Sequence, residues 1–110
     1  MSHLKHNKIR LNDHSYERLL ERTSFKGNRR KAGEFIKKVY YGGTHLNDLP
    51  PQERFIVKQR IHNQDPLRTL SFKKAVVYEE GVYIFDKSNL CRTILKNPLK
   101  SSWHDIKIML

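Results

Sequence analysis

A single cysteine, Cys91, occurs in the 110 residues, so no intramolecular disulfide can form and neither a CxxC redox pair nor a cysteine-based zinc site is available. That usage fits a reducing cytoplasm, which is the expected compartment. No stretch approaches the roughly 18 consecutive apolar residues of a membrane span. Met1 to Arg10 are basic and lack the apolar run of a secretory signal, so neither a membrane partner nor export is expected. Histidine does not replace the missing cysteines. His3 and His6 lie in a polar arm, while His45, His62 and His104 are far apart with no HExxH, and no metal site is expected. Gly-rich phosphate loops are missing as well, because GNRRK and YYGGT fit neither a P-loop nor a dinucleotide fingerprint, and no cofactor is expected. Acidic residues are scarce, with 11 Asp and Glu against 22 Lys and Arg, a formal charge of +11.

That surplus is spread along the chain rather than gathered in one tail, which describes a charged face whose commonest partner is a phosphate backbone. The bland alternative is a solubility surplus. At this length only one core of useful volume can be built, so residues 1–110 read as a single domain. Residues 1–8 are expected to form a flexible basic arm, and residues 101–110, with Trp103, Ile106, Ile108, Met109 and Leu110, a C-terminal extension that reads as a strand or an apolar flap.

Hydrophobic spacing sets the elements between these ends. Lys8 to Leu11 reads as a short strand. Asn12 and Asp13 are good N-caps for a helix to about Arg22, with Tyr16, Leu19 and Leu20 on one stripe. Asn28 caps a second helix to Tyr41, in which Ala32, Phe35, Ile36, Val39 and Tyr40 recur at helical spacing. Gly42 and Gly43 stop it in the pattern of a left-handed glycine cap. Residues 44–51 read as a loop, and Pro51 to about His62 as a third helix. From Ala75 the period changes to that of strands, at Ala75 to Tyr78, Val82 to Phe85 and Leu90 to Leu95, joined by tight turns. The expected fold is α+β, two to three N-terminal helices packed on a three- to four-stranded antiparallel meander.

Three groups of residues carry chemistry on this frame. His14, Arg18 and Arg22 recur every four residues in HSYERLLER and share one helix face. Two guanidiniums beside an imidazole suit a phosphodiester, since Arg clamps phosphate oxygens and His moves a proton near neutral pH, with no metal required. The alternative is a solvated face on which Arg18 and Arg22 pair with Glu17 and Glu21. Lys26, Arg29, Arg30 and Lys31 gather at the start of the second helix, where positive charge opposes the helix dipole and serves the helix badly. With Lys37 and Lys38 they form a candidate phosphate-binding cluster. Among Tyr40, Tyr41, Tyr78, Tyr83 and Phe85 most are expected in the core, with Tyr83 a candidate for stacking on an unpaired base.

HSYERLLER, the helix ending in YYGG and the segment VYIFDKSNLCRTILKNP together resemble small phage and mobile-element proteins related to the RelE and BrnT group of ribonuclease toxins, which share the barnase-EndoU-colicin-RelE fold. In that resemblance an early helix carries a His followed by two Arg, and a late hairpin ends in a Leu-x-Thr-Val type segment, here LCRTIL. The resemblance implies a metal-independent, toxin-type endoribonuclease cleaving through the ribose 2′-hydroxyl. His14 would be its acid or base, Arg18 and Arg22 would stabilise the phosphorane, and Thr93 would orient phosphate or ribose. It also implies RNA, free or ribosome-associated, as target and an acidic antitoxin as protein partner. Two other classes remain open: a nucleic-acid-binding protein that cuts nothing, and a phage- or plasmid-encoded inhibitor that docks on a host protein through the apolar C-terminal segment.

Overall fold

Asn12 opens the first helix as its sequence position predicts. Its Oδ1 accepts from the Ser15 N–H at 2.8 Å, and Asn28 does the same for the second helix, accepting from the Lys31 N–H at 2.9 Å. Each such cap stabilises its helix by about 1 kcal/mol. The computed structural model describes residues 8–64 and 74–100. Its elements are β1 (Arg10–Leu11), α1 (Asp13–Arg22), α2 (Arg29–Gly42), β2 (Thr44–His45), a 3-10 turn (Leu46–Asp48), α3 (Pro51–Gln64), β3 (Lys74–Tyr78), β4 (Gly81–Phe85) and β5 (Leu90–Lys96). The expected behaviour of the basic arm and of the C-terminal extension lies outside the described residues, apart from Lys8.

The α+β class stands, and β3, β4 and β5 form the expected antiparallel meander. The sheet is nevertheless larger and mixed. Five strands run in the order β1-β5-β4-β3-β2. β1 lies parallel to β5, with Arg10 opposite Leu90 and Leu11 opposite Cys91. The segment expected to be loop contributes β2, antiparallel to β3. β1 falls inside the strand expected over Lys8 to Leu11, but its place in the sheet, and β2 altogether, depend on partners far away in sequence that local periodicity does not mark.

The helices also divide between the two faces of the sheet, where only one packed face was expected. Leu19 of α1 and Ala32, Ile36 and Val39 of α2 bury against Val76, Tyr83, Phe85, Cys91 and Ile94. Val57 and Ile61 of α3 bury with Leu46 and Leu49 against Ala75, Val82, Ile84 and Leu95 on the other. All five residues of β4 are therefore buried.

The left-handed glycine cap is also corrected. Gly43 has φ −81° and no described glycine has a positive φ. Gly43 is needed for space: a Cβ there would sit 2.5 Å from Val76 Cγ1, 2.8 Å from the Val39 carbonyl and 3.0 Å from the Val77 carbonyl. A Cβ on Gly42 would meet nothing within 4 Å. Gly43→Ala is expected to cost about 1–3 kcal/mol by overpacking. Gly42→Ala should be neutral or gain up to about 1 kcal/mol of helix propensity. Urea unfolding of the two variants checks this, and equal stabilities would contradict the packing at the α2–β3 junction.

Candidate nucleic-acid interface

Successive steps of four residues advance about 40° around a helix, so the face shared by His14, Arg18 and Arg22 winds as it runs along α1. His14 is exposed, whereas Arg18 and Arg22 are half-buried. α1 packs against β5 through Ser15, whose hydroxyl donates to the Cys91 carbonyl, and through Leu19. The stripe thus begins in solvent and ends at the outer edge of β5. There Arg22 Nη1 donates to the Ile94 carbonyl at 2.8 Å. Arg18 turns to Glu21, 2.8 Å away, an exposed pair worth about 0.5 kcal/mol. Burial first, and then the charge of Arg18, hold the Arg22 guanidinium below its ordinary pKa. Glu21 works against them, and Arg60 of α3 adds a further lowering. Arginines from both faces of the sheet therefore crowd one stretch of strand edge. Arg60 was missed in the sequence, because nothing local says that α3 will lie behind the strand that α1 covers.

Thr93 does not join the triplet as the ribonuclease resemblance implies. A register shift between Ile84 and Phe85 places Thr93 opposite Ile84 and Cys91 opposite Phe85. Simple alternation would put Cys91 and Thr93 on one face, but the bulge at Arg92 sends them to opposite faces. Cys91 lies under the helices and Thr93 on the side of α3. The Cys91 thiol is wholly buried and its pKa is pushed up to about 12, chiefly by burial, which leaves it inert as a nucleophile.

The cluster at the start of α2 also separates into two roles. Arg29 Nη2 donates to the Leu11 carbonyl at 2.6 Å, its Nε faces Asp13 at 3.2 Å, and the guanidinium lies 6.0 Å from the centroid of the Tyr16 ring. Arg29 thus ties α2 to the β1–α1 junction and is largely spent on structure. Lys26, Arg30, Lys31, Lys37 and Lys38 are exposed. Spacings of seven pair Arg30 with Lys37 and Lys31 with Lys38 along two adjoining stripes, each pair about 10 Å apart along the axis. Glu34 is the one carboxylate in α2, and the described ion pairs leave these four cations without a carboxylate partner.

Tyr83 is a correction. It is 1% exposed, and burial, with smaller contributions from Cys91 and from Glu80, Glu79 and Tyr78, raises its phenol well above the ordinary value. Its ring lies in the core, against Phe35 at 6.2 Å, and is closed to a base. The exposed member of the aromatic set is Tyr41, at 75%. A cleft near the other end of the sheet, between Phe25, Phe35, Ser24, Glu79 and Glu80, is rimmed by carboxylates and repels phosphate. Glu80 is held below the usual carboxylate range by hydrogen bonds from the Ser24 hydroxyl and N–H. Among the described residues no group of three His, Cys, Asp or Glu stands close enough to hold a metal, and no helix is long and apolar enough to cross a membrane.

Set against known protein families, curated proteins and solved structures, the chain matches none.

Proposed function

We propose that the chain is an RNA-binding protein that holds the phosphate backbone on the exposed cations of α2 and binds without cutting. The observation that carries this reading is the double stripe of Arg30, Lys31, Lys37 and Lys38, exposed and lacking carboxylate partners on a chain of net charge +11. Like charges gathered on one helix face repel one another, and an added polyanion relieves that repulsion.

Toxin-type cleavage is the second reading, and one observation favours it: α1 lies along β5, the last strand of the described sheet, as that mechanism requires. Against it stand the engagement of Arg22 with the Ile94 carbonyl, the pairing of Arg18 with Glu21 and the position of Thr93 on the far face.

Incubation of the purified chain with total RNA in EDTA separates the two readings. Expected is a retarded complex from which RNA is recovered intact, and a complex weakened about tenfold in Lys37→Glu/Lys38→Glu, since two phosphate contacts are lost. Fragmented RNA with the wild type but not with His14→Ala would establish the nuclease instead. No retarded complex at low salt would remove the RNA reading altogether.

A further inference from the structure

An exposed aromatic ring on a packed support holds a flat π-face out to solvent. Tyr41 does so, at 75% exposure, in the last turn of α2 and two residues ahead of the crowded Gly43. Its support is rigid. The neighbouring ring of Tyr40, 9% exposed, meets Tyr41 edge-on at 5.2 Å and 75°. Tyr40 is itself fixed from three sides: Phe85 packs on it at 5.0 Å, the Lys74 ammonium lies 4.7 Å from its ring centroid and donates to its hydroxyl, and the His45 ring stands 5.7 Å away. His45 Nε2 lies 3.1 Å from the Tyr40 carbonyl, which holds the imidazole in place.

The charges nearest this ring along α2 are positive, with Glu34, the helix's one carboxylate, two turns back. Lys37 and Lys38 precede Tyr41 by four and three residues and therefore flank it on the helix surface. Arg30, Lys37 and Tyr41 fall within about 40° of one another around the axis. The result is a flat, pre-positioned π-surface at the end of a row of cations, the two parts with which proteins grip single-stranded nucleic acid.

Resting on the RNA-binding reading above, we infer that Tyr41 is a stacking platform for an unpaired base, so that the ligand is single-stranded RNA rather than duplex. The base lies on the Tyr41 ring while the adjoining phosphates follow Lys38, Lys37 and Arg30 along α2. In a duplex the bases are already stacked on one another and none is free to take that place. Because any base offers a π-face, the contact selects strandedness rather than sequence.

Fluorescence anisotropy with a labelled 12-nucleotide oligouridine, the same strand carrying one abasic site, and a 12-base-pair RNA duplex tests this at one fixed salt concentration. Wild type and Tyr41→Phe are expected to bind the single strand alike, and Tyr41→Ala about tenfold more weakly. The wild type should also prefer the single strand to the duplex, a preference that Tyr41→Ala loses. Equal affinity of wild type and Tyr41→Ala for the single strand would overturn the stacking role while leaving charge-driven RNA binding in place. Duplex bound as tightly as single strand by the wild type would overturn it too. Absence of binding to both RNAs would overturn this inference and the RNA reading together. Tyr41 is exposed and makes no core contact that its loss would remove beyond Tyr40, so a matching circular dichroism melt confirms that the variant is folded.

Discussion

Between 50 and 200 mM monovalent salt, affinity for single-stranded RNA is expected to fall about 50-fold. Four phosphate contacts, one for each of Arg30, Lys31, Lys37 and Lys38, give a slope of log affinity on log salt of about −2.8 for a single strand, and a fourfold rise in salt then costs about that factor. Lys37→Glu/Lys38→Glu removes two of the four. Its slope should drop to about −1.4, leaving a loss of about sevenfold over the same range. The slope separates the two helices. If the α2 double variant kept the wild-type slope, the phosphates would lie elsewhere, and the arginines at the β5 edge, Arg18, Arg22 and Arg60, would be the place to look. Arg29 should behave differently from its neighbours. Its bonds to the Leu11 carbonyl and Asp13 make it a fastener between elements, and its loss should lower stability while changing the slope little.

Phe85→Ala is expected to destabilise the chain by about 3–5 kcal/mol. Phe85 is fully buried on a strand covered by helices on both sides, and its ring also supports Tyr40. Domains of this size have only about 5–15 kcal/mol in total, and each kcal/mol moves the midpoint by roughly 4–8 °C, so a melting temperature lower by some 15–30 °C is the expected observation. A loss under about 1 kcal/mol would mean that β4 is not the centre of the core. Since Phe85 underlies Tyr40, and Tyr40 underlies Tyr41, the same substitution should weaken single-strand binding even at temperatures where the variant remains folded.

Local chemistry made much of this fold legible. Asn12, Asn28 and Pro51 mark where helices start, and the caps of the first two are made as their positions predict. The alternation from Ala75 to Leu95 marks three strands within a residue or two of their observed ends. What was not legible depends on contacts across the chain. The strand at β1 was expected, but its parallel pairing with β5 was not, and β2 is a strand only because β3 accepts it. The second packed face of the sheet follows from where α3 comes to rest, and that placement buries Val82 and Ile84, as α1 and α2 bury Tyr83, and brings Arg60 toward Arg22. Thr93 was misplaced for a sharper reason: one extra residue, Arg92, inverts the alternation of everything after it. In the candidate interface, the basic residues of α2 could be named from the sequence, but the division between Arg29, which is tied down, and Arg30, Lys31, Lys37 and Lys38, which are exposed, needed three dimensions.

The parallel pairing of β1 with β5 bears on how the chain matures during synthesis. Arg10 reaches Ser88 across 78 residues, Ser15 reaches Cys91 across 76 and Arg22 reaches Ile94 across 72. The β1–α1 segment is thus tied to α2 beside it and to the later-made β5, and α1 has no sheet to lie on until β5 has cleared the ribosome. Contacts this distant in sequence slow the step that completes the sheet. A nascent chain paused before residue 90 would present the cations of α2 on an unfinished body, whereas β1, α1 and β5 should lock together as one late cooperative unit, gaining and losing amide protection in concert.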